Sequence, residues 1–297
     1  MSRSAAVKTN KAASADLLLP NWLSRVVTLV LVVAVLVPVL YMLLMSLTPN
    51  QDVALGTISF AALELRNYAQ MWSQAPLLSG LAHTFIIAGS SAIISVIVAL
   101  LAAYPLTRFR FHGRQPFLAA LIAVQTVPGT TLLLPLFAVI SYIQTALSVH
   151  LIGTYWPMIV TYMTFGVPLS TWLLFSYMQT IPRELEEAAL VDGCGRLGAL
   201  RRVVVPLARP AIVVAFVFAF LVGWNDVLFA SIFTNTKTQT LAIVIQRFSA
   251  GQATASLPLY GELMAAAVVS SLPVVVLYLI FQRHLTTGLS AGSMGGT

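Results

Sequence analysis

Residues 180–210 read TIPRELEEAALVDGCGRLGALRRVVVPLARP and hold nine charged side chains. Within them Glu187, Ala188 and Ala189 precede Asp192 and Gly193, and Pro206 follows. Residues of these types in this order suit docking. Small alanines permit close approach to a partner, a carboxylate such as Glu187 accepts charge-assisted hydrogen bonds from a basic group, and glycine lets the chain fold back. Leu185, Ala188 and Ala189 share one face at helical spacing. A second group is Trp224, Asn225, Asp226 and Glu262. Its two acids lie in or beside apolar segments, where an ionisable residue is a functional hypothesis by default. Beside Trp224 and Asn225, Asp226 reads either as part of a polar, aromatic lining for solute hydroxyls or an outer gate, or as an acid paired with a neighbour.

Catalytic and metal-binding motifs are missing from the sequence. No GxxxxGK[ST] phosphate loop is present, and none of Lys8, Lys11 and Lys237 follows a glycine, so the chain is not expected to bind ATP. There is no HExxH or CxxC, and His83, His112, His150 and His284 are scattered, leaving no metal or hydrolytic centre. The lone Cys194 excludes an internal disulfide.

The elements that must position these residues follow from composition. Of 297 residues, 59% are hydrophobic and 8% charged, and the mean hydropathy is +0.91. Soluble domains carry about 25% charged residues, so an ordinary water-soluble protein is excluded. A transmembrane barrel would alternate apolar and polar residues, whereas the apolar runs here are continuous. Backbone in lipid must satisfy its own hydrogen bonds, which makes these runs helices. Six are long enough to cross: 23–47, 81–106, 117–142, 155–179, 211–233 and 259–282. The expected architecture is therefore an all-α, polytopic membrane protein with a tail at 1–22, a six-helix domain at 23–282 and a tail at 283–297. Pro128 and Pro135 in the third span and Pro157 and Pro168 in the fourth make kinked or interrupted helices there, candidates for lining a pathway.

Orientation follows from the basic residues. Arg3, Lys8, Lys11 and Arg25, then Arg108, Arg110 and Arg114, then the five arginines of 180–210, then Arg283 fall on one side; Arg66, Lys237 and Arg247 fall on the other. The positive-inside rule places both termini in the cytoplasm. The net charge of +7 is thus read as membrane topology, not as affinity for nucleic acid. The 180–210 connection, far longer than the usual 4–6 residues or so, is then cytoplasmic. Pro182 and the glutamates open a helix, Gly193 and Gly195 end it, and a second short helix over 196–204 is expected to stop before Pro206. A helix lying on the membrane surface is the alternative, which four acids disfavour against anionic lipid.

The order Glu-Ala-Ala, three residues, Gly, nine residues, an apolar pair and Pro resembles the cytoplasmic signature of permease subunits of bacterial ATP-binding-cassette importers. Glu187, Ala188, Ala189, Gly193 and Pro206 match it, with Val203 and Val205 at the two apolar positions. LRNYAQMW (65–72), LTRFRFHGR (106–114), GWNDVLFA (223–230) and FQRHLTTGLSAG (281–292) resemble the carbohydrate branch of that family. The resemblance implies a type I importer permease fold in the bacterial inner membrane. It also implies a helix coupled to an ATPase through Glu187, Ala188, Ala189, Asp192, Gly193 and Pro206. The implied partners are a homologous permease, two ATPase subunits that bind the ATP, and an extracytoplasmic solute-binding protein or lipoprotein, with a di- or oligosaccharide as the expected solute. The rival reading is a secondary transporter driven by an ion gradient through Asp226 or Glu262. Asp226 lies 15 residues beyond Ala211, about 22 Å into a core of about 30 Å, too far out for a midplane proton relay.

Overall fold

The computed structural model describes residues 21–55, 63–255 and 257–293, and among these the only regular structure is helical. Helix α1 (Asn21–Leu47) is followed by the short α2 (Asn50–Ala54) and α3 (Arg66–Gln74). The long α4 (Leu77–Arg108) comes next, then α5 (Arg114–Thr126), α6 (Leu133–Ala146) and α7 (Trp156–Met178). The charged connection folds as α8 (Glu184–Val191), α9 (Arg196–Ala199) and α10 (Val205–Leu207). Then come α11 (Arg209–Asn225), α12 (Leu228–Phe233), α13 (Leu241–Gln252) and α14 (Tyr260–Ser293).

Helices α4, α7 and α11 pack against one another at the centre, α14 joins them along α11, and α1 lies outside against α14. The reason is written along α4. Ala88, Ala92, Ser95, Ala99 and Ala103 recur at helical spacing and are fully buried. Apolar lipid gives helices no hydrophobic drive to associate, so contact depends on small residues that let backbones approach. At Gly223 of α11 the approach is so close that an added Cβ would stand 2.8 Å from the Tyr162 ring and 2.9 Å from the Ala88 Cβ. The side chains of α1 that would face lipid, from Leu29 to Tyr41, are largely exposed.

The six expected spans appear as five continuous helices or, counting one bent pair, six. Two differ from the sequence-based reading. The run 117–142 is not one helix: α5 ends at Thr126, Val127 is extended (ψ 121°), and a 3₁₀ turn at Gly129–Leu132 leads into α6. Pro128 has no N–H to donate and pushes the residue before it out of the helical region. By contrast, α7 runs unbroken through Pro168. The run 211–233 breaks after Asn225, where Asp226 is extended (ψ 130°), and α12 starts two residues later. Pro206 does not end the second loop helix. A π-helical turn at Leu200–Val204 widens the ladder just before it, and Pro206 enters α10 in its first turn, where no N–H is needed. The segment Arg196–Leu207 then meets α11 at 78°. The expected tail 1–22 lies outside the described residues except for the first two residues of α1. The tail expected at 283–297 begins as a continuation of α14, described as backbone to Ser293.

Candidate functional site

Two groups of candidate residues lie at opposite ends of α4. At the arginine-rich end, α8 projects from the bundle. Glu184, Glu186 and Glu187 occupy its first turn, where the helix dipole favours negative charge. The helix closes in a Schellman turn: Gly193 N donates to Leu190 O (3.1 Å), Cys194 N donates to Ala189 O (3.0 Å), and Gly193 takes φ +85°. Glu187, Ala188, Asp192 and Gly193 are exposed, and Ala189 is half-buried. Beside them Leu185, Val191 and Leu197 present apolar surface, Val191 at 87% exposure. The loop's second half is rooted instead. Ala199 is buried, and Leu200 and Val204 lie in a cluster with Ala103, Leu106, Leu174 and Met178. α8 thus presents an apolar, carboxylate-bearing surface on a fixed base.

Glu186, adjacent to the motif, points the other way. Its Oε2 pairs with Arg108 Nε at 2.7 Å, and the Tyr104 hydroxyl donates to its Oε1. Arg108 Nη1 also donates to Ile181 O (3.3 Å), and Arg183 Nη2 donates to Thr107 O (3.1 Å). Arg196 lies 4.8 Å over the Phe109 ring, a cation–π contact. Arg108, Phe109, Arg183, Glu186 and Arg196, with Glu187 and Leu190, line a cavity of about 210 Å³ between α8 and the end of α4. Reading the sequence for the motif missed Glu186. A signal was present in the spacing of Tyr104 and Arg108, four apart at the end of an apolar helix and so on one face, but their partner is 82 residues away for Tyr104 and invisible in a single chain.

At the other end the four candidates separate into three places. Trp224 and Asn225 border a cavity of about 340 Å³, with Gln246 of α13 and Ser270 of α14 as further polar groups. Trp224 stacks on Phe220 (ring centroids 5.3 Å) and receives the edge of Phe85 (5.3 Å), giving the cavity a fixed aromatic wall. Asp226 belongs to the break between α11 and α12. Its carboxylate accepts from the Tyr162 hydroxyl (2.9 Å), Ala230 N (3.0 Å) and Phe229 N (3.4 Å), satisfying N–H groups that begin α12. Glu262 is 1% exposed and accepts from Asn50 Nδ2 (2.5 Å), while Asn50 Oδ1 accepts from Gly261 N (2.8 Å). Asn67 donates to Ser46 O (3.0 Å) and Thr48 O (2.8 Å), so a polar network ties α1, α2 and α3 to the start of α14. Among the described residues no group of three His, Cys, Asp or Glu is placed to hold a metal ion.

An all-helical membrane bundle with a charged helix–turn–helix at one end is an architecture that the family match assigns to transport permease components. Residues 95–290 match the family described as the binding-protein-dependent transport system inner membrane component, and the chain belongs to it. It is 35% identical over 270 residues to a sulfoquinovosyl glycerol transport system permease protein of Agrobacterium fabrum, covering 90% of this chain and 91% of that one. To a trehalose transport system permease protein of Mycobacterium tuberculosis it is 32% identical, covering 88% and 93%. In fold it is similar, at a TM-score of 0.72 and 19% identity over 88% of this chain and 95% of the other, to a chain of a bacterial ABC transporter that imports the acidic polysaccharide alginate. The chain is thus a multi-pass inner-membrane protein with the type I ABC importer permease fold.

Proposed function

We propose that this chain is one of two homologous permease subunits of an ATP-driven importer for a di- or oligosaccharide, coupled to two ATPase subunits through α8. The observation that carries the reading is the division of residues 180–210 into an exposed helix face, with Leu185, Glu187, Ala188 and Val191, and a buried root at Leu200 and Val204. In this reading the arginine-rich end faces the cytoplasm with both termini, 1–22 and 283–297 are cytoplasmic tails, and ATP is bound by the partner subunits alone. ATP-driven closure of the ATPases displaces α8, the bundle alternates between inward and outward access, and an extracytoplasmic solute-binding protein delivers the solute. Gly193 lets α8 turn back, Asp192 closes α8 before that turn, and Pro206 opens α10 at the far end of the loop.

The carbohydrate reading is supported by the names of the relatives and by the cavity beside Trp224 and Asn225, where an aromatic face stands next to amide and hydroxyl groups. Asp226 acts there by fixing α12 at the outer gate, and Glu262 by fixing the outer ends of α1–α3 against α14. Both carboxylates are taken up by internal partners, which leaves the ion-coupled alternative without a free intramembrane acid to recommend it.

The test is affinity purification of the tagged chain from native membranes, followed by reconstitution. A second permease and an ATPase are expected to co-purify, and Glu187→Ala is expected to lower transport per ATP hydrolysed without loss of membrane insertion. Uptake of radiolabelled disaccharide by this chain alone, without ATP, overturns the reading in favour of a secondary transporter.

A further inference from the structure

We infer that Glu186, Arg108 and Tyr104 form a latch that makes α8 and the end of α4 move as one body, so that force on the docking helix enters the centre of the bundle directly. The inference rests on the coupling reading above and adds the route by which displacement reaches the membrane helices. Along the chain, α8 connects to α7 through residues 179–183 and to α11 through the bend after α10. It has no covalent link to α4 nearby, yet α4 is the helix that packs most extensively on α7 and also contacts α11.

Apolar contacts resist separation but permit sliding; directional, buried polar bonds resist both. The latch joins a buried hydrogen bond, from the Tyr104 hydroxyl to Glu186 Oε1, to a buried ion pair of Arg108 Nε with Glu186 Oε2 at 2.7 Å that is close but not aligned as a hydrogen bond. Both carboxylate oxygens of Glu186 are engaged, and the Glu186 and Arg108 side chains are only 9% and 7% exposed. Two arginines cross-bond the segments reciprocally, Arg108 reaching the carbonyl of Ile181 and Arg183 the carbonyl of Thr107. Breaking a buried pair by removing one partner leaves an uncompensated charge, so the joined geometry is strongly preferred over a slipped one. Adjacent positions on α8 thereby divide the work. Glu187 faces outward for docking, and Glu186 faces inward as a positioning residue that holds what docking moves.

The complex, purified with its ATPase subunits and placed in lipid nanodiscs, provides the test. On a Cys194→Ala background, nitroxide labels at Leu101→Cys and Glu184→Cys, both exposed positions outside the docking face named above, report the separation of α4 and α8. In the otherwise unaltered chain that separation is expected to stay constant between the nucleotide-free and the ATP–vanadate states. In Arg108→Ala and Glu186→Ala it is expected to shift between the two states by about 1–2 Å or more, the scale of a helix slipping on its neighbour. The exchanged pair Arg108→Glu with Glu186→Arg is expected to restore constancy, which a merely space-filling role would not do. Glu186→Gln keeps the side chain's size and serves if the alanine variants do not assemble: the same shift supports the latch, and a constant separation refutes it. A separation that changes in the unaltered chain, or stays constant in the alanine variants, overturns the inference while co-purified ATPase leaves the coupling reading standing. Failure of the unaltered chain to carry an ATPase overturns the coupling reading and the latch with it.

Discussion

The turn after α8 gives a prediction whose magnitude comes from backbone geometry alone. Gly193 sits at φ +85°, and a Cβ built there meets nothing within 4 Å. Substitution therefore costs only what the left-handed conformation costs, which for an L-residue is about 1–2 kcal/mol. Gly193→Ala is expected to lower the ratio of closed to open turn by roughly 5–30-fold, at 1.4 kcal/mol per factor of ten. Gly193→Asn is expected to lose much less, because asparagine visits this region with local hydrogen bonds of its own. Gly193→Pro fixes φ near −65° and removes the N–H that donates to Leu190 O, so the turn cannot form. Hydrogen exchange at the amides of residues 190–194 in the reconstituted complex reads the opening directly, and transport per ATP hydrolysed reads its consequence. The expected order in both is glycine, asparagine, alanine, proline. Equal impairment by asparagine and alanine would show that a side chain at this position obstructs the partner, and that turn geometry is not what glycine supplies. Full coupling in Gly193→Pro would sink the argument altogether.

Two further outcomes follow from the opposite end. Tyr162→Phe removes the hydroxyl that donates to Asp226 while leaving the ring against Gly223, and is expected to destabilise the bundle by about 1–3 kcal/mol, seen as a lower melting midpoint of the purified complex. Asn225→Ala, at an exposed position beside Trp224, is expected to raise KM for solute uptake roughly 2–12-fold, the loss of one hydrogen bond of about 0.5–1.5 kcal/mol, with basal ATP hydrolysis unchanged.

The parts of this protein that could be read in sequence are those governed by local rules. Continuous apolar runs forced helices, the order of glutamates, glycines and prolines set the limits of α8, and Pro128 marked a break in the third run. The break at Asp226 carried no such mark, because neither proline nor glycine stands there. It exists because Asp226 bonds to Tyr162 and caps α12, a tertiary arrangement between residues 64 apart. The same limit hid the role of Glu186. Three glutamates in one turn look alike in sequence, and only the placement of Arg108 tells which of them turns inward.

The two ends of the molecule share α4, and its packing offers the proposed coupling a route between them. At one end Arg108 and Tyr104 hold α8; at the other Phe85 lies against Trp224 in the wall of the cavity. These points are separated by 23 residues of uninterrupted helix, about 34 Å at 1.5 Å per residue. Between them run Ala88, Ala92, Ser95, Ala99 and Ala103, a buried face of small side chains along which α4 packs closely on its neighbours. Close-packed interiors transmit strain, and the contact of Gly223 with Ala88 and Tyr162 leaves α11 no slack at the level of the cavity. Under the proposed coupling, a shift of the latched end of α4 is carried along this packed face. In that reading it reaches Trp224 and its neighbours through Phe85 and Ala88, and the small-residue face of α4 belongs to the coupling route with the charged loop.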